Sequence, residues 1–366
     1  MTRLKCAILG ATGMVGQRFV QLLEGHPYFE PILLAASEKR EGQLYSDSVN
    51  WVIEGDVPGY ARDMTLASLD ANGISRALSP DVDGKSKRGA ALAFSALPAN
   101  IADQLETELA GKGVWVFSNA SAHRMDANVP LLAPEVNAGH LALLEGQTAP
   151  GKIVTNANCS ATGLVLGLAP LKPFGIKRVI VTTYQALSGA GHPGVPSTDI
   201  MGNVIPYIAG EEEKMEEETR RILGTYEGGI VKGHPAEVMA NCARVPVTDG
   251  HLEAVTVEFE GQVSRESIVD VFQTYNGPAE VAGLPSAPAT PVIFTKEEDR
   301  PQPKKDCWHG GKGRKAGMAV VVGRLEVKGN WARFFILSHN TVRGAAGGSL
   351  LNAELAHSKG LLGVNH

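Results

Sequence analysis

Residues 5–23 read KCAILGATGMVGQRFVQLL, and the order of residue types in this stretch decides the fold class. Lys5–Leu9 is a short apolar run of the length of a buried strand, and Val15–Leu23 puts Val15, Phe19, Leu22 and Leu23 on one helical face. Between them stands Gly10-Ala-Thr-Gly13-Met-Val-Gly16. A glycine turn from strand to helix permits a tight reversal, brings backbone close to a pyrophosphate and packs helix against strand. The helix start then offers free N–H groups and the positive end of its dipole to phosphate. The stretch predicts dinucleotide binding through Gly10, Thr12, Gly13, Met14, Val15 and Gly16.

Working outward, Pro31–Ala36, Ala91–Ser95, Val114–Ser118 and Lys152–Asn156 read as further strands spaced by helical patterns. This alternation predicts an α/β fold built on a Rossmann-type doubly wound parallel sheet. Ser95 and Leu97, at the end of one of these strands, are assigned to the cofactor as well. The second strand ends in Ser37-Glu38-Lys39-Arg40, where NAD-specific folds place a ribose-binding acid. A hydroxyl with two cations suits the 2′-phosphate of NADP, so Ser37, Lys39 and Arg40 are expected to hold it. Glu38 is the contrary feature, and a solvated charge run is the plainer alternative.

At 366 residues the chain exceeds what one core usually serves. After residue 158 the texture changes to longer β-rich runs, Arg178–Gln185, Leu252–Glu260, Met318–Leu325 and Arg333–Leu337. These predict an α+β catalytic and dimerisation domain with a mixed sheet. The expected division is residues 1–157, completed by a C-terminal helix within 344–366, and residues 158–343. Pro285–Pro303 reads as an extended surface segment. The acidic run Glu211–Glu218 reads mainly as a solvated helix face carrying one or two functional residues.

A net charge of −5 with scattered cations gives no footprint for nucleic acid. No apolar run approaches the roughly 20 residues that span a bilayer. The first residues lack the apolar stretch and cleavage site of an export signal, so the expected compartment is the cytoplasm. Cys6, Cys159, Cys242 and Cys307 lie far apart, which argues against disulfides and a metal site. Cys159 differs from the rest. In Asn156-Ala-Asn158-Cys159-Ser-Ala-Thr-Gly163 it follows a strand and opens the apolar helical pattern Leu164–Leu171. A helix start stabilises a thiolate, and its N–H groups can hold an oxyanion. A buried cysteine at a helix start is the bland alternative.

Several further pieces, SNASAHRM, NANCSATG, QALSGAG, EEEK, RVPVTDGH and HNTVRGAAGGS, together with GATGMVG, resemble the aspartate-semialdehyde dehydrogenase family along essentially the whole chain. The wording SGAGHPG and RVPVTDGH resembles its archaeal and fungal branch. The resemblance implies that Cys159 is acylated, that His251 is the general acid/base, and that Arg244 grips the substrate α-carboxylate. It implies that Gln185 orients the substrate, with Asn158 beside it. Glu211 would meet the substrate amino group, and Lys214 and Arg124 would meet phosphate, the choice of Glu211 over Glu212 being one of register. Ser188, Gly189 and Asn340 would approach the nicotinamide. The implied reaction interconverts L-aspartate 4-semialdehyde, phosphate and NADP⁺ with 4-phospho-L-aspartate and NADPH, in a homodimer or homotetramer of lysine, threonine and methionine biosynthesis. The alternatives are a malonyl-CoA reductase, a related acyl-phosphate reductase of arginine synthesis, and a non-catalytic NADP-binding sensor. GHPG at 191–194 departs from the family's usual bacterial loop and leaves cofactor preference less determined.

Overall fold

A computed structural model describes residues 3–79 and 90–363. Parts of the expected division, residues 1–2, 80–89 and 364–366, lie outside the described residues. The first sheet takes β1 (Leu4–Leu9), β2 (Phe29–Ala35), β3 (Leu66–Ala67), β4 (Ala91–Ser95), β5 (Val114–Ser118), β6 (Leu131–Leu132) and β7 (Ile153–Asn156). Its order is β3-β2-β1-β4-β5-β7-β6, parallel throughout. Strands covered on both faces need apolar residues at successive positions. Cys6 and Ile8 enter one core with Phe19, Phe94, Phe117 and Leu350, while Ala7 and Leu9 enter the other with Ile74, Ala93 and Leu105. Cys6 is therefore a core residue. Helix Gly347–Ser358 returns to this sheet through Leu350, Leu351 and Leu355.

The second part holds β8 (Ile176–Gln185), the hairpin β9 (Thr225–Glu227) and β10 (Ile230–Lys232), β11 (Glu237–Arg244), β12 (His251–Phe259), β13 (Val292–Phe294), β14 (Val320–Lys328) and β15 (Trp331–Ser338). Six of these form a mixed sheet of order β11-β8-β12-β15-β14-β13. Its register matters for everything that follows. Arg244 pairs with Gln185, Leu252 with Tyr184, and His251 with Ser338. Strand ends of β8, β11 and β15 and the start of β12 thus meet at one end of the sheet.

Helix Cys159–Leu168 crosses from β7 onto the second sheet. It lies close because Gly163 and Gly167, one turn apart, face β15. A Cβ on Gly163 would sit 2.6 Å from Ser338 Oγ, and one on Gly167 would collide with Ile336.

The segment 285–303 departs from the expected surface run. Val292–Phe294 adds a parallel strand beside β14, and Ser286 is buried, donating from its backbone N–H and hydroxyl to Glu354 at 2.9 and 2.6 Å. Its prolines flank the strand and remove no ladder donor from it. Among the described residues no helix is long and apolar enough to cross a membrane.

A buried ion pair joins the last segment to the first sheet's flank. Arg343 donates bidentately to Glu135, both bonds at 2.7 Å, and both residues are buried. Removing one partner of such a pair strands the other charge. Arg343→Ala is expected to cost about 3–5 kcal/mol in urea unfolding, and a loss under about 1 kcal/mol would mean Glu135 finds another partner.

Candidate active site

Cys159 is the first residue of its helix, and Asn158 caps it by accepting from Ser160 N at 2.9 Å and Ala161 N at 3.1 Å. Asn158 faces two ways. Its side-chain amide donates to Glu211 Oε1 at 3.0 Å, and its backbone N–H donates to Glu218 Oε2 at 2.6 Å. On the other side the irregular turn Val342–Ala346 passes so near that a Cβ on Gly344 would lie 2.7 Å from Cys159 Cβ.

His251 opens β12 and is fully buried, with Nε2 3.2 Å from Cys159 Sγ. Its Nδ1 accepts the backbone N–H of Ala186 at 3.0 Å. Burial, and then the charge of Arg244, hold the imidazole well below its usual titration range. Arg244, at the end of β11, donates through Nη1 to Ala186 O at 2.7 Å. Gly189 leaves room for both: a Cβ there would lie 2.8 Å from Arg244 Nη1 and 3.0 Å from His251 Cε1.

The helix start predicts a stabilised thiolate at Cys159, and the groups around the thiol act on it in both directions. Burial above all, and then the Glu211 carboxylate, push the half-buried thiol up to about 12 against the opposing charges of Arg124 and Arg244. Desolvation disfavours the charged form, and the Ser160 backbone N–H at the helix start favours it.

Helix Glu211–Leu223 turns Glu211 and Glu218 inward and leaves the other glutamates of its acidic run half-buried or exposed. Glu211 Oε1 accepts from Gln185 Nε2 at 2.9 Å as well as from Asn158. Glu212 instead accepts Cys242 N at 3.0 Å, away from this cluster, so Glu211 is the residue that faces the site. Gln185 also accepts from Thr183 Oγ1 at 3.0 Å. Glu218 is absent from the sequence-based assignment. Two helical turns below Glu211, it bridges Asn158 N and Arg124 Nη1, the latter at 2.9 Å. A seven-residue spacing from Glu211 was the available signal. Arg124 gives Nη2 to Asn119 O at 2.7 Å, while its buried Nε has no partner. Lys214, half-buried, has no ionic or hydrogen-bonded partner among the described residues.

The expected cofactor residues fall in two groups. Gly10 (φ +76°) ends β1, and a Cβ there would lie 2.7 Å from Ala96 O, while one on Gly16 would strike the Gly10 carbonyl. Thr12 O accepts from Gln17 at 3.0 Å, Gly13 is exposed, and Met14 and Val15 begin the helix half-buried. Ser95 and Leu97 lie at the end of the adjacent β4. Ser37 and Lys39 are exposed just past β2, and Arg40 donates to Ser48 O at 2.8 Å. A glycine cradle, a helix start and an exposed lysine together fit a dinucleotide carrying an extra phosphate. The second group stands near Cys159: Asn340 donates to Ser188 Oγ at 2.7 Å and accepts Gly250 N at 2.9 Å, and Gly189 lies against His251.

A doubly wound nucleotide sheet coupled to a mixed sheet, with a Cys–His pair where the two meet, is the architecture of the semialdehyde dehydrogenases. The family model for the NAD-binding domain of semialdehyde dehydrogenases matches residues 5–144, and that for their dimerisation domain matches residues 168–343. The chain is 45% identical to an Archaeoglobus fulgidus aspartate-semialdehyde dehydrogenase over 96% of its own length and 98% of the relative's. It is 37% identical to a Metallosphaera sedula malonyl CoA reductase (NADP), covering 98% of each chain. Among solved structures, the Candida albicans aspartate semialdehyde dehydrogenase with NADP superposes with a TM-score of 0.84 at 35% identity, covering 98% of this chain and 99% of that one. The chain belongs to the aspartate-semialdehyde dehydrogenase family.

The Glu218 bridge generates a test. Glu218→Gln keeps the volume, removes the charge and unpairs Arg124. It is expected to lower turnover by about tenfold to a hundredfold, since small misplacements near a reacting atom cost that much. Steady-state kinetics beside a melting curve checks it, and unchanged turnover would make the bridge structurally dispensable.

Proposed function

We propose that this chain catalyses the reversible, NADP-dependent conversion of 4-phospho-L-aspartate to L-aspartate 4-semialdehyde and phosphate through an ester on Cys159. The observation that carries the reading is the 3.2 Å contact between Cys159 Sγ and His251 Nε2, at the end of the mixed sheet where the polar groups converge. Covalent catalysis splits a hard displacement into two easier ones.

The other roles follow from chemistry. Arg244 keeps donors beyond the one given to Ala186 O, and a guanidinium clamps a carboxylate bidentately. Glu211 supplies a carboxylate for the substrate ammonium, with Gln185 and Asn158 holding it in place. Among the described residues Lys214 has no partner and Arg124 retains an unpaired Nε, so both suit an incoming phosphate. NADP would be held by the Gly10–Gly16 turn, Ser95, Leu97, Ser37, Lys39 and Arg40, with Ser188, Gly189 and Asn340 at the nicotinamide end. When bound, the reduced cofactor supplies the hydride.

In this reading residues 1–157 with 344–366 form the cofactor domain and residues 158–343 the catalytic and dimerisation domain. The uncovered face of β8 and β11 exposes Ile180, Tyr184 and Met239, which suits a second copy of the chain. All four cysteines are free, in keeping with the cytoplasm.

The test is phosphate-dependent NADP⁺ reduction with L-aspartate 4-semialdehyde, run beside coenzyme A. Turnover with coenzyme A and none with phosphate would favour the malonyl-CoA reductase reading. Cys159→Ala is expected to lower turnover by at least about a thousandfold while NADP binding persists; near-normal activity would reject the ester. Met239→Glu is expected to shift the protein to monomer in sedimentation at micromolar concentration, because it buries an unpaired charge. An unshifted species would place the interface elsewhere.

A further inference from the structure

Beside the far end of the helix Met14–Leu22 lies a cavity of about 340 Å³ to which neither the Cys–His pair nor the glycine turn contributes. Leu22, Glu24, Trp308, Arg314 and Val342 are among the residues that wall it. Nine residues of helix, about 13 Å at 1.5 Å each, separate Leu22 from the glycine turn expected to hold the pyrophosphate. The volume falls at the lower end of the range of about 300–1,000 Å³ that small-molecule sites occupy.

Most charged groups around this cavity are paired with each other. Arg18, buried, binds both carboxylate oxygens of Glu54 and gives a further bond to Gln21 Oε1 at 2.8 Å. Gln21 returns its amide to Glu54 O at 2.9 Å. Two opposite charges are left over. The Glu24 carboxylate has no hydrogen-bonded or ionic partner among the described residues. Arg314 donates through Nη2 to the Glu24 backbone oxygen at 3.2 Å, which sets its guanidinium beside that residue, and its Nε is buried without an acceptor. A buried donor left unmet is uncommon in a native fold and calls for an occupant. The remaining wall is apolar. Leu22 and Val342 are buried, while Trp308 keeps 39% of its surface exposed. Its indole cannot swing away, since the Arg18 guanidinium lies 5.4 Å from the ring centre and the His339 ring packs edge-on at 4.2 Å.

We propose that this cavity is a second ligand site, taking a free α-amino acid with an apolar side chain. The amino-acid carboxylate meets Arg314 Nε and Nη1, its ammonium meets the Glu24 carboxylate, and its side chain lies on Trp308 against Leu22 and Val342. A simple anion would leave Glu24 unmet and a simple amine would leave Arg314 unmet, whereas a dipolar head answers both. The occupant touches two segments that serve the active site, the helix that carries the glycine turn and the turn Val342–Ala346, whose Gly344 abuts Cys159. Nothing in this site depends on the reaction proposed above.

The test is calorimetric titration of the NADP-loaded protein with L-leucine, L-isoleucine, L-valine, L-methionine and L-phenylalanine. At least one is expected to saturate with a dissociation constant below about 5 mM. The decarboxylated amine and the deaminated acid of that amino acid are each expected to bind at least about tenfold more weakly, as are Arg314→Gln and Glu24→Gln proteins with unchanged melting curves. Arg244→Gln is expected to leave binding as it is. Absence of saturation by about 20 mM with all five means that the cavity holds solvent only, and overturns the proposal. Binding that survives Arg314→Gln and is lost in Arg244→Gln overturns it as well, because the amino acid is then held beside Cys159.

Discussion

The constraint on which the rest depends is that a sulfur just past a strand end of one sheet must meet an imidazole from the end of another. Cys159 leaves β7 of the parallel sheet, and His251 begins β12 of the mixed one. Neither sheet alone contains the pair. The helix begun by Cys159 spans the gap by lying tightly on β15, and the register of β12 with β15 and β8 sets where the ring stands. A one-residue slip of β12 would turn His251 to the opposite face.

Much of the electrostatics around this contact is desolvated. Glu218, Arg124, Glu211 and Arg244 are all buried, and each has at least one hydrogen bond to a group that cannot move far. Burying charges costs several kcal/mol each unless they are paired. Preorganisation is the return: donors and acceptors need not be gathered when the substrate arrives. Glu218 and Glu211 illustrate this, since one helix face fixes both the backbone and the side chain of the residue before the nucleophile.

What was legible in the sequence followed from strong local patterns. The first sheet and its glycine turn could be read because apolar runs, glycines and helix starts lie next to each other in the chain. β11 could not. Glu-Val-Met-Ala-Asn-Cys-Ala-Arg has weak strand character, and it forms because β8 offers eight aligned partners. The site residues beyond Cys159 were accessible through resemblance more than through physics, since His251, Arg244 and Gln185 come together only through sheet register. The buried ion pair of the chain's last segment, Arg343 with Glu135, spans 208 residues and left no local trace. Cys159 shows the limit of a local rule: the helix start favours a thiolate, while burial by distant residues pushes the thiol up.

Four of the contacts that assemble the site are made by hydrogen atoms where other residues carry side chains: Gly163 and Gly167 against β15, Gly344 against Cys159, and Gly189 against Arg244 and His251. Alanine scanning presumes that it trims atoms, yet at these places it inserts one. A scan of this enzyme would score such positions as if they took part in chemistry, though they contribute only vacancy. The same asymmetry governs drift during evolution. Every substitution there is an enlargement, so the site tolerates change in what surrounds it far better than in the spaces that let it close.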